Sequence, residues 1–188
     1  MRRALVPLVL AGFLAAVAPA HAAAVAKRSC ASRAEGPGPV TRLARPGDVK
    51  LGPAAFVGLE RLASPRAFER FRDPSGRYLV KSPLMVRAGR VVTVSISRRD
   101  RPVAGLTFVH DAPRGTGVPA VRFVACDKDE PAFSYNGTVG PVTAFAGGWS
   151  LAQPACVRVS ARVRGHRFVY ARTVSFGMGR AAGNCDKI

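Results

Sequence analysis

Apolar and polar residues alternate most cleanly over Val91 to Ser97, where Val92, Val94 and Ile96 fall on one side and Val91, Thr93, Ser95 and Ser97 on the other. A period of two sustained over that length predicts a strand buried on one face only. The same period returns between Cys156 and Val163, where Val157, Val159, Ala161 and Val163 alternate with Arg158, Ser160, Arg162 and Arg164. Three arginines therefore share one exposed side. After a Gly165-His166 turn, Arg167 to Phe176 is expected to return as the partner strand, with Phe168, Tyr170, Val174 and Phe176 facing the core and Arg172 near the rim. The alternation assigns Phe168 and Tyr170 to the core rather than to base stacking beside arginine, so nucleic acid is not an expected partner.

Shorter runs fill the rest. Val49 to Leu51 and Ala55 to Leu59 form an edge strand interrupted by Gly52-Pro53. Tyr78 to Met85 should join Val91 to Ser97 as a hairpin through Ala88-Gly89, and Val103 to Val109, Ala120 to Cys126, Val142 to Phe145 and Trp149 to Leu151 are further strands. One helix is expected, because Ser64 can cap it, Pro65 suits its first position, and Phe68 and Phe71 fall on one face before Asp73-Pro74-Ser75-Gly76 stops it. Roughly seven to nine short strands with one short helix predict an all-β chain, an antiparallel β-sandwich of immunoglobulin-like architecture, with a barrel as the alternative. The cysteine-tryptophan-cysteine spacing of true immunoglobulin domains is missing, since Trp149 stands only seven residues before Cys156.

Residues 1–22 lie outside that domain. Arg2 and Arg3, the apolar stretch from Ala4 to Ala18 and the small residues of Ala20-His21-Ala22 make a signal peptide and imply secretion. Residues 23–48 read as a basic irregular arm, rich in Gly and Pro, and residues 49–188 as the β-sandwich domain. All four cysteines follow the leader, so two disulfide bonds are expected, in any of three pairings. The expected pairing is Cys126 with Cys156, closing the loop around Trp149, and Cys30 with Cys185, tying the ends of the domain together.

Charge sharpens the picture. The leader holds two of the 29 basic residues and none of the 11 acidic ones, which leaves 27 against 11, a net charge of +16. Most of it is arginine, whose planar fork suits phosphate and carboxylate. The candidate binding residues are Arg158, Arg162, Arg164 and Arg172, and the expected partner is an anionic cell-wall polymer or a partner protein. The structural alternative is a generic arginine-rich surface, because the charge is scattered along the chain.

Catalytic chemistry is sparse. Only His110 and His166 follow the leader, no serine sits in a G-x-S-x-G elbow, and oxidised cysteines supply no nucleophile. The most defensible enzymatic pair is His110 with Asp111, as in a secreted hydrolase. No cofactor and no metal are expected: the cysteines lack close C-x-x-C spacing, and Asp127, Asp129 and Glu130 lack the glycine and distal glutamate of an EF-hand.

The stretches SPLMVRAGRVVTVSIS, VRFVAC, NGTVGPVTAFAGGWSL, PACVRVSARV and SFGMG together resemble a family of small secreted β-sandwich proteins from high-GC Gram-positive bacteria. The resemblance covers most of Leu51 to Cys185. It implies the sandwich fold and export, and it carries no activity with it. The expected function is thus a secreted, non-enzymatic domain acting through its basic face.

Overall fold

The computed structural model describes residues 25–109, 115–179 and 185, and β-branched and aromatic residues build twelve strands among them. In chain order these are β1 (Ala26–Arg28), β2 (Val49–Leu51), β3 (Ala54–Phe56), β4 (Tyr78–Lys81), β5 (Leu84–Arg87), β6 (Val91–Ile96), β7 (Ala104–Leu106), β8 (Ala120–Val124), β9 (Val142–Phe145), β10 (Gly148–Leu151), β11 (Ala155–Val163) and β12 (Val169–Phe176). They hydrogen-bond into a five-stranded sheet, β1-β8-β6-β11-β12, a four-stranded sheet, β2-β3-β5-β9, and a three-stranded sheet, β4-β10-β7. The chain is mostly β, as expected, but with three sheets and more strands. Four of the twelve have only three residues, too few to display a period.

One core joins the sheets. Val92, Val94 and Ile96 of β6, Val121 and Phe123 of β8, and Val157, Val159 and Ala161 of β11 are all buried, as their alternation requires. Trp149 of β10 is the hub, with ring centroids 4.9 Å from Phe56 of β3 and 5.3 Å from Phe176 of β12. The one α-helix among the described residues, α1 (Pro65–Glu69), starts as foreseen. The Ser64 hydroxyl accepts from the Ala67 amide, and Phe68 is stacked on Tyr78 at 4.2 Å.

The structure corrects three local expectations. Tyr78 to Met85 and Val91 to Ser97 do not form a hairpin: the run breaks at Ser82-Pro83, β4 and β5 join different sheets, and the Ala88-Gly89 turn hands the chain from β5 in the four-stranded sheet to β6 in the five-stranded one. Alternation reports which side is buried and says nothing about the partner. Gly52-Pro53 does not interrupt one strand but turns β2 back on β3, with Gly52 at φ 61°. Phe168 and Tyr170 are exposed, not core. Tyr170 does lie on the inner side opposite buried Ala161, its ring against Gly52 of the β2–β3 turn, yet the first five residues of β12 stay exposed and burial begins only at Val174.

The disulfides are Cys30–Cys126 and Cys156–Cys185, not the expected pairs. Strand order gives the reason. β6 runs antiparallel to both β8 and β11, so those two run the same way, one on each side of it. Cys126 follows the end of β8 and Cys156 opens β11, which puts them at opposite ends of the sheet. Cys30 reaches Cys126 instead because β1 pairs parallel with β8.

The segment expected as an irregular arm is fastened along its length. Arg28 donates to the Phe108 carbonyl and, 2.9 Å away, to the Ser32 hydroxyl, and burial pushes its pKa down. Ala34 bridges Ala144 and Val40 bridges Val142. Arg33 and Glu35 form a nearly buried ion pair. Glu35 also accepts from the Phe133 and Ser134 amides at 2.9 and 2.8 Å, and the Arg33 guanidinium lies 4.1 Å over the Phe133 ring. Burial alone would raise the Glu35 carboxyl, but Arg33, Ser134 and Phe133 together hold it at about 2. Because that lies below the unfolded value of about 4.3, the stabilisation is complete above the unfolded value and is lost as pH falls towards the folded one. Acid unfolding of Glu35→Gln should accordingly depend less on pH than that of the parent between about 4.5 and 2; identical acid profiles would show that this clasp holds nothing.

Candidate functional site

Outward-facing residues of the five-stranded sheet alternate with the buried ones, so the register decides which of them meet. Lys27 of β1 is paired with Arg122 of β8, Arg122 with Thr93 of β6, and Thr93 with Arg162 of β11. Four neighbouring strands thus lay one row across the sheet, about 14 Å long at the usual strand spacing of about 4.8 Å. Arg164 extends the row at the strand end, where its amide donates to the Val91 carbonyl at 2.9 Å. Lys27, Arg122, Arg162 and Arg164 are exposed and surround a groove of about 520 Å³ over Val91, Thr93 and Val124.

The chemistry of the groove is one-sided. Four cations line it, and among the described residues no carboxylate does. The ion pairs among the described residues use Arg33, Arg72, Arg99 and Lys128, so none of the four is neutralised that way. Like charges facing one another across strands lower the stability of the sheet. An anion laid along the row would relieve that repulsion and accept from several guanidinium forks together. The small residues of the floor let the apolar stems lie flat while the charged heads stay in water.

The residues expected to bind are divided by the fold. Arg162 and Arg164 line the groove. Arg158 shares the outer face but lies four residues from Arg162, roughly 13 Å along the strand, opposite Thr173. Its amide donates to the Asp100 carboxylate at 2.8 Å, which ties β11 to the turn after β6. Arg172, paired with Val159, lies on the inner side of β12 and lines a different groove beside Asp48, Lys50, Glu60 and Arg61. Lys27 and Arg122 were not anticipated. Arg122 is the polar residue between Val121 and Phe123, so its outward direction is readable; its neighbours are not.

His110 and Asp111 lie outside the described residues. His166 is exposed at the β11–β12 turn, its Nε2 3.4 Å from Arg90 Nη1. Among the described residues no three His, Cys, Asp or Glu side chains gather as metal ligands, and no helix is long and apolar enough to cross a membrane. The chain matches no protein-family profile, no curated protein and no solved structure.

Proposed function

We propose that the protein is a secreted, non-enzymatic binding module that holds an anionic cell-surface polymer in the groove of the five-stranded sheet. The observation that carries this reading is the convergence of Lys27 of β1, Arg122 of β8, Arg162 of β11 and Arg164 just after it on one groove with no carboxylate among its described lining residues. Three cations in a row of about 14 Å, with Arg164 beside them, suit a repeating phosphate or carboxylate chain better than a single small anion, because each charge meets its own partner. The leader and the two disulfides support a site of action outside the cell, and the resemblance to exported proteins of high-GC Gram-positive bacteria supports the cell wall as its setting.

Net charge and local arrangement can be separated. K27Q/R122Q/R162Q/R164Q should lower retention on isolated cell walls at physiological salt by about tenfold or more, whereas R66Q/R70Q/R98Q/R101Q, with the same loss of charge at exposed arginines elsewhere, should change it little. Equal losses would reduce the effect to overall charge and remove the groove from the explanation.

A further inference from the structure

The hairpin between β11 and β12 presents a second surface. Every residue from Arg164 to Thr173 is exposed, and Phe168, Val169 and Tyr170 form a continuous apolar run at 74%, 46% and 39% exposure. Among the described residues the other large exposed apolar side chains, Val25, Leu79, Phe133 and Met178, stand singly in the sequence. Scattered single residues need no explanation, but three in succession beside a turn do. Val169 is paired with Arg162 on the outer side of the sheet, whereas the Tyr170 ring, opposite Ala161, lies against Gly52 of the β2–β3 turn, so the freest part of the run is Phe168 and Val169 at the tip.

The charge of the hairpin itself is uniform. From Ala155 to Gly179 the chain has five arginines and no acidic residue; Arg167 precedes Phe168 directly and Arg164 stands across the turn, while Arg172 faces the groove that also holds Asp48 and Glu60. Arg90 adds its charge beside His166. Asp127, against Gly89, belongs to the loop after β8 and not to the hairpin. Aromatic and aliphatic side chains next to arginines match the interface of an anionic bilayer, where rings enter the headgroup boundary and guanidinium groups meet lipid phosphates.

We propose that the β11–β12 tip is a shallow membrane-docking element, with Phe168 and Val169 entering the headgroup layer of an anionic bilayer and Arg164 and Arg167 pairing with its phosphates. This goes beyond the polymer groove: the two share Arg164, but Lys27 and Arg122 lie four and three strands away from β12. Phe168 makes no ring contact with the core aromatics, which leaves it open to substitution without unfolding.

Vesicle sedimentation at physiological salt tests the proposal. The full chain should partition onto vesicles of seven parts phosphatidylcholine to three parts phosphatidylglycerol at least about tenfold better than onto phosphatidylcholine alone. Phe168→Ser should weaken that binding by about tenfold, Arg167→Gln by about fivefold, and K27Q/R122Q should weaken it much less. Phe168→Trp should show a blue shift in emission on adding the anionic vesicles. Unchanged binding of Phe168→Ser, or no shift in Phe168→Trp, would overturn the proposal and leave only long-range attraction. If Phe168→Ser instead lost retention on cell walls stripped of lipid, the tip would belong to the polymer contact and the membrane assignment would fall, while the groove would stand.

Discussion

Alanine at Gly148 should destabilise the protein by about 3 kcal/mol or more, as forced overpacking does. Gly148 opens β10, the central strand of the three-stranded sheet, and a Cβ there would fall well inside van der Waals contact of the Val80 carbonyl oxygen on β4. That oxygen is backbone and cannot rotate away as a side chain could. Either β4 or β10 must move, and the next residue along β10 is Trp149, whose ring touches Phe56 and Phe176 and so connects all three sheets. Gly147 is as tightly placed, with the Phe108 ring where its Cβ would be. Denaturant unfolding of Gly148→Ala checks this, and a midpoint within about 0.5 kcal/mol of the parent, the range of an indifferent surface change, would contradict the packing described.

Opening the Cys30–Cys126 bridge as C30S/C126S should be the costlier of the two disulfide losses. It spans 96 residues against 29 for Cys156–Cys185. Chain entropy alone sets upper limits of about 5 and about 4 kcal/mol for loops of those sizes. The first bridge also pins β1 to β8, so losing it should free Lys27 and weaken polyanion binding, an effect C156S/C185S should not share. Equilibrium unfolding of both variants, with retention on cell walls alongside, decides the order; a larger loss of binding in C156S/C185S would mean that β1 is not held as described.

How far the sequence went follows from what each signal measures. Alternation placed β6 and β11 and assigned their buried and exposed sides correctly, because side-chain direction is local. The Ser64-Pro65 start of α1 was legible for the same reason. Strand partners were not, so the β5–β6 hairpin and both disulfide pairings were misread: each depends on the order of strands in the sheet, which no short stretch encodes. The reason for glycine at 147 and 148, the Phe108 ring and the Val80 carbonyl, lies in distant segments. The tip of β12 failed differently. Its alternation is real and its inner side correct, yet only the Gly52 turn lies under Tyr170 and an open groove beside Arg172, so neither is buried.

The same division runs through the groove. Arg162 and Arg164 were visible as members of one exposed stripe. Lys27 and Arg122 join them only through cross-strand register, and for Lys27 through a parallel pairing just three residues long. Four cations that are far apart in the sequence thus become one surface.

Titration of long-chain polyphosphate into the full chain at about 50 and about 300 mM salt tests that surface most directly. The expected result is tight binding at low salt that falls steeply with added salt, with a slope set by about four contacts, and loss of both the affinity and most of the slope in K27Q/R122Q/R162Q/R164Q. Parent-like affinity and slope in that variant would contradict the groove as the binding site.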